Sequence, residues 1–296
     1  MCRKSCEVCS PLSAPAVDAS KKTISIGDVQ KPAPAKPASD KDAQIAKVEA
    51  MIKGPMTVDP GYLHAQYKAG FVPDRVAADG APVKVNNLCS PIEKPDAQLL
   101  SHVKLAHSPE DESQNVDSEG KPLRIFCGIY TMEANHRTNT RATRDTWAKK
   151  CDGFIAFSTL DDPAIPAVNI LHEGEEAYDN MWQKSRSIWK YVHTHLKDKY
   201  DFFLLGGDDM FYIVENLRAY LGSEEITQRR NEGQGSLHRI RRLNEGFIFI
   251  SLVDFVGLFV GRIFQPPNQV VFNSGGAGYM LDVKALEVKD KNFVQL

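Results

Sequence analysis

Four short apolar runs, separated by polar or helix-patterned sequence, constrain the fold of this chain more than any other feature. Leu123-Arg124-Ile125-Phe126-Cys127-Gly128-Ile129-Tyr130-Thr131 is almost wholly apolar, the pattern of a strand buried on both faces. Gly153-Phe154-Ile155-Ala156-Phe157-Ser158, Val168-Asn169-Ile170-Leu171 and Tyr200-Asp201-Phe202-Phe203-Leu204-Leu205 follow it. Between them, Thr138 to Lys150 is polar with helical spacing. Trp182, Ser185, Trp189, Val192 and Leu196 recur at helical steps from Met181 onward. Ile213, Val214, Leu217, Tyr220 and Leu221 mark a further helix. Strands alternating with helices predict an α/β domain built on a largely parallel sheet.

The rest of the chain is less ordered in pattern. Residues 11–40 are rich in Pro, Ala, Lys and Ser and poor in large apolar residues, a linker or disordered tail. Asp40 to Lys53 predicts a short helix with Ile45, Val48 and Ile52 on one side. Turn formers and charges then dominate to about Gly120, including the acidic run Ser108 to Ser113. The expected organisation is a tail and weakly packed stem over 1–120 and one α/β domain over 121–296. That domain is interrupted at 223–257 by an Arg-bearing loop and by the apolar stretch Gly246 to Val260.

With 42% apolar residues, a sizeable core is available. A formal net charge of -2 gives no sign of the strongly basic surface of a nucleic-acid binder. No run approaches the ~20 apolar residues of a membrane span, and Met1 to Cys6 lacks the apolar core of a signal peptide. Cys2, Cys6 and Cys9 are crowded but lack a second pair at zinc spacing, so a disordered terminus is the preferred reading. Cys127 and Cys151 flank predicted strands; a disulfide and a pair of buried thiols are both open.

The chemistry concentrates where the fourth apolar run meets Gly206-Gly207-Asp208-Asp209. Two adjacent carboxylates at the end of a buried strand repel each other unless a cation or hydrogen bonds compensate. A hard divalent ion completed by phosphate oxygens would do so, and glycines let backbone approach a ligand closely. An ordinary exposed turn is the alternative, because Gly and Asp are common turn formers.

Arg124-Ile125-Phe126-Cys127, Arg144-Asp145-Thr146-Trp147, Trp182-Gln183-Lys184, the Asp208-Asp209 turn and Ser274-Gly275-Gly276-Ala277-Gly278-Tyr279 stand in the order seen in the Fringe-like β1,3-glycosyltransferases. Within that family the chain most resembles the core 1 β1,3-galactosyltransferases, over about residues 122–288. The resemblance implies a GT-A-type, Rossmann-like sheet flanked by helices. It implies Mn²⁺ as cofactor, UDP-galactose as donor and a glycoprotein N-acetylgalactosamine as acceptor. It further implies inversion at the anomeric carbon and a lumenal Golgi setting, with a homodimer as one open arrangement. Matched position by position, Asp209 is the expected direct metal ligand, with Asp208 beside it. Gly207 stands where the family's acidic motif has its first Asp. Arg144, Trp182, Lys184, Asp208, Gly275, Gly276 and Ala277 fall on the donor side, with Lys184 expected to neutralise pyrophosphate charge. For Trp182 and Trp147 a packing role is the alternative.

A metal-dependent inverting transfer also needs a general base for the acceptor hydroxyl. The family carries it in a Glu-Asp motif past the Gly-Gly-Ala-Gly segment, so here it is expected beyond Leu296 and the domain reads as C-terminally partial. Asp282, Glu287 and Asp290 are expected on a helix after Tyr279, and none is assigned as base. The competing expectation is a non-catalytic nucleotide- or glycan-binding relative, or a folding partner.

Overall fold

The computed structural model of the chain describes residues 38–70, 115–232, 257–261, 263–264, 272–273 and 275–287. The cysteines at 2, 6, 9 and 89, the acidic run 108–113, most of the linker 11–40 and of the insertion at 223–257, Ser274 and Asp290 lie outside the described residues.

The predicted strands are present as β1 (Ile125–Tyr130), β2 (Gly153–Ser158), β3 (Ala167–Asn169) and β4 (Phe202–Gly207). They pair in parallel in the spatial order β3-β2-β1-β4. β5 (Phe259–Gly261) and β8 (Tyr279–Asp282) complete a six-stranded sheet in the order β3-β2-β1-β4-β8-β5, with β8 antiparallel to both neighbours. β6 (Ile263–Phe264) and β7 (Phe272–Asn273) form a separate two-stranded ladder. The fold is therefore mixed α/β on a mostly parallel sheet, as the alternating pattern predicts.

The two faces of the sheet follow the period-two rule of strands. Ile125, Cys127 and Ile129 of β1, with Phe202 and Leu204 of β4, face one way. They pack with Trp147 and with Val214 and Leu221 of the helix Val214–Leu221. Phe126, Phe203 and Leu205 face the other way and pack under Ile188, Trp189, Val192 and Leu196 of the helix Met181–Leu196. In chain order the helices are α1 (Ala38–Lys53), α2 (Tyr62–Lys68), α3 (Arg141–Asp145), α4 (Met181–Leu196), α5 (Val214–Leu221) and α6 (Glu224–Glu232). Among the described residues no helix is long and apolar enough to cross a membrane.

Several sequence expectations need correcting. Residues 138–150 do not form one helix. They break into a π-type turn, the short α3 and a 3-10 turn at 148–150. The break lets Trp147 turn inward, where it is 1% exposed. The charged stretch after Gly222 is not all loop. α6 places acids in its first turn and arginines in its last, which suits the helix dipole. Its Ile226 is buried, Arg229 pairs with Glu225 one turn back, and Arg230 lies 4.7 Å from the Phe202 ring. Asp282 ends a strand rather than lying on a helix, and it accepts the Ala285 N–H of the helical turn that follows.

Residues 39–70, read from sequence as part of a stem, belong to the same compact unit as the sheet. Leu63 is 1% exposed within the core, and the Phe154 amide of β2 donates to the Pro60 carbonyl. Cys127 and Cys151 form a disulfide that ties the middle of β1 to the turn before β2.

Candidate functional site

The strand order places β1 at the centre of the parallel set, and chain connectivity reverses direction between β1 and β4. Ligands of open α/β sheets bind in the crevice outside the carboxyl ends of strands at such a switch point. Here those ends are Tyr130 and Gly207, which pair in register. The next residues are Thr131 on one side and Asp208 and Asp209 on the other.

The two acids have different environments. Asp208 is half-buried and held: its Oδ2 accepts the Thr131 hydroxyl at 2.6 Å and the Asn135 amide at 2.8 Å. Its Oδ1 accepts the Asn139 amide at 3.4 Å, and its backbone carbonyl accepts the Thr143 hydroxyl at 3.4 Å. Asp209 is exposed, and its carboxylate folds back toward Gly207, where a Cβ would stand 2.7 Å from Oδ1. Tyr130 feels both acids. Burial raises its hydroxyl above the ordinary value of 10.0, and the negative charge of Asp209, then Tyr178, then Asp208 adds to the shift.

The glycine-rich turn Gly275–Ala277 hangs beside this corner from two tyrosines. Tyr130 donates to the Gly275 carbonyl at 3.2 Å and Tyr212 to the Ala277 carbonyl at 2.9 Å. Burial pushes the Tyr212 hydroxyl far up, so it stays a donor. Glycine is required at Gly278, whose φ is +68° and where a Cβ would meet the Tyr212 oxygen at 1.8 Å. At Gly206 a Cβ would meet Met210 Cε at 1.6 Å, the movable end of a flexible side chain. The turn Gly275–Ala277 thus lies beside Tyr130, at the strand ends next to the acidic pair.

The other expected donor-side residues are placed unevenly. Lys184 is 2% exposed and occupies the buried stripe of α4. Its amine donates to the Thr131 carbonyl at 2.7 Å and to Glu176 Oε1 at 2.5 Å. The other Glu176 oxygen meets His172 Nε2 at 2.8 Å. Burial alone would raise the Glu176 carboxyl. Hydrogen bonds from Lys184 and His172, with their charges, outweigh it and hold the group below its ordinary 4.5. Arg144 is buried, donates to Asp145 and to the Ala164 carbonyl, and leaves Nη2 without a partner. Trp182 is 55% exposed, so it is not core. Trp147 is core, and its indole N–H donates to the Met210 carbonyl beside the acidic corner.

Sequence reading passed over Tyr130, Thr131, Asn135, Asn139, Glu176 and Tyr212. The first four lie at or just past the carboxyl end of β1, and the switch-point rule applied to the strand order would have found them. Nothing in the spacing of Glu176 and Lys184 marks them as a pair.

No group of three or more His, Cys, Asp or Glu gathers at a metal-like spacing among the described residues. The donors present still fit a divalent cation that arrives with a diphosphate. Such ions take one or two carboxylates and fill the remaining positions with phosphate oxygens and water. Asp209 offers an open carboxylate; Asp208 offers at most Oδ1, since Oδ2 already accepts two short hydrogen bonds.

Fold and site together define a doubly wound α/β domain with an acidic, glycine-flanked corner at its switch point. No family model matches the chain. It is 25% identical over 190 residues to glycoprotein-N-acetylgalactosamine 3-beta-galactosyltransferase 1 of Xenopus laevis, covering 64% of this chain and 44% of that protein. It is 24% identical over 190 residues to chondroitin sulfate synthase 3 of Mus musculus, covering 62% of this chain and 21% of that one. Against the Homo sapiens chondroitin sulfate synthase 3 it is 25% identical over 129 residues, 41% of this chain and 14% of the relative. The chain is thus related to the β1,3-glycosyltransferases, and it spans less than half the length of these curated relatives.

Proposed function

We propose that this chain carries the donor-binding part of an inverting, metal-dependent β1,3-galactosyltransferase. It takes UDP-galactose with Mn²⁺ and serves transfer to N-acetylgalactosamine on a glycoprotein. The observation that carries the reading is the open Asp209 carboxylate at the switch point, beside an Asp208 already satisfied by protein donors. A bound divalent cation supplies charge stabilisation to the departing diphosphate. The chain's own residues present the Asp209 oxygen and keep the β1–β4 mouth rigid through Asp208. They also bring the peptide backbone of Gly275–Ala277 against the ligand without side-chain bulk. Asp282 is not placed to take the acceptor proton: it is 2% exposed and engaged with Ala285. The buried Cys127–Cys151 disulfide supports an oxidising, lumenal compartment such as the Golgi.

The test is calorimetric titration of UDP with and without Mn²⁺, followed by UDP release from UDP-galactose with an N-acetylgalactosamine glycoside. Asp209→Asn is expected to remove metal-dependent UDP binding, a loss beyond the roughly 10–100-fold typical of outer partners of a metal site. Metal-independent binding, or full binding by Asp209→Asn, would end the proposal. A second reading, a nucleotide-binding relative without transferase activity, draws on Gly207 at the place of the motif's first Asp. UDP·Mn²⁺ binding without transfer, in a chain extended past Leu296, would select it.

A further inference from the structure

We propose that Lys184 and Glu176 are positioning residues for the acidic corner. Lys184 holds Thr131, Thr131 holds Asp208, and Asp209 is left as the carboxylate that meets the ligand. The inference rests on the donor-site reading above and assigns Lys184 a different task from contact with phosphate.

The connections run in one unbroken line. His172 and Lys184 take one oxygen each of Glu176. Lys184 then reaches the Thr131 carbonyl at 2.7 Å, the first residue past the carboxyl end of β1. The Thr131 hydroxyl donates to Asp208 at 2.6 Å and takes the Thr140 hydroxyl at 2.8 Å as its own donor. Asn135 and Asn139 of the same loop close on Asp208. An ammonium that is 2% exposed must be compensated inside the protein, and two of its three donors are already used on Glu176 and Thr131.

The far end of the line is anchored as well. Asn180 donates to the Glu173 and Glu175 carbonyls, and Gln44 of α1 reaches the His172 and Gly174 carbonyls. Gly174, at φ +83°, leaves room for the Asn180 amide. The segment that presents Glu176 is therefore fixed independently of any ligand. A phosphate-binding lysine would need its amine in the crevice; this one is buried behind Thr131.

Glu176→Gln separates the two roles by sign. If Lys184 serves phosphate, weakening its hold on Glu176 frees the amine and UDP·Mn²⁺ binds more tightly. If Lys184 positions, the brace slackens and affinity falls about tenfold or more, as for outer partners of metal sites. Thr131→Val cuts the last link while sparing the Lys184–Glu176 pair, and the same fall is expected. The Glu176→Gln, Thr131→Val double variant should be no worse than either single one. In nucleotide-free protein, amide exchange across residues 131–143 should rise in both single variants. Tighter UDP·Mn²⁺ binding in Glu176→Gln, or unchanged exchange over 131–143 in both variants, overturns the proposal. Absence of UDP·Mn²⁺ binding by the unmutated chain sinks the donor-site reading instead, and the exchange measurement still decides the brace.

Discussion

Asp208 and Asp209 are neighbours in sequence with opposite tasks. Three side chains already satisfy Asp208, so desolvation costs it little; Asp209 is exposed and hydrated, and on the proposed function a cation would replace that water. Gly207 decides how much charge the corner holds. Its φ is not in the left-handed region, and a Cβ there would crowd only the movable Asp209 carboxylate, at 2.7 Å, with Tyr130 carbons no nearer than 3.5 Å. Gly207→Asp should therefore fold, adding a third carboxylate at the mouth of β1 and β4. The expected outcome is tighter Mn²⁺ binding in the presence of UDP, by about tenfold or ~1.4 kcal/mol, read by calorimetry. Unchanged or weaker metal binding would mean that the crevice does not face the cation at this point.

At the scale of elements, two ties set how the crevice walls respond to conditions. The first is the segment from His172 to Lys184. Glu176 lies below its ordinary value of 4.5, so the folded chain binds fewer protons than the unfolded chain in that window. Its stabilisation is present above about 4.5 and is lost as pH falls through the lowered value. Denaturant midpoints measured across that range should decline toward acid, and Glu176→Gln should flatten that decline. The second tie is the disulfide, which joins β1 to the turn before β2 across a sequence separation of 24. Both sulfurs are wholly buried, so reductant should act on the unfolded chain and lower Tm. Replacing both cysteines by alanine is expected to cost about 2–4 kcal/mol. The strands that carry these ties were legible because an apolar run of four to eight residues has few other ways to be buried. β4 ran on through Gly206 and Gly207 because parallel pairing with β1 continues to Tyr130, a long-range fact that no local pattern carries. α6 was hidden by its charge, since its hydrophobic contact is little more than Ile226 and an arginine laid on Phe202. The antiparallel β8 between β4 and β5 was equally out of reach, because its partners are distant in sequence. In the site, the acidic turn and the glycine turn could be read from residue type. The brace could not, because the resemblance assigns Lys184 to pyrophosphate and no local pattern marks Glu176 as its partner.

For the whole molecule, the question is where the folded unit begins. The stem boundary near residue 120 came from composition, in which turn formers outnumber apolar residues. Composition averages over the few residues that matter. Leu63 lies in the core cluster with Leu123, Ile125 and Trp147, and Ile52 is buried at the end of α1. Met51, Met56 and Val58 pack on the opposite cluster. The chain segment before the sheet therefore covers apolar surface on both faces. It also supplies the Pro60 carbonyl to β2 and the Gln44 amide to the His172 segment behind Lys184. If the segment were a detachable stem, Leu63→Ala would change stability by no more than the ~0.5 kcal/mol of a surface substitution. As part of the core it should cost about 2–5 kcal/mol, measured by chemical denaturation of a chain beginning at Ser39. A second comparison locates the effect. Removing residues up to 70 deletes Gln44 together with Leu63, so UDP·Mn²⁺ affinity should fall beyond what Leu63→Ala alone produces, because the anchor behind Glu176 goes with it. A chain begun at 71 that matched the stability and the affinity of one begun at 39 would show that the sheet stands without α1 and α2.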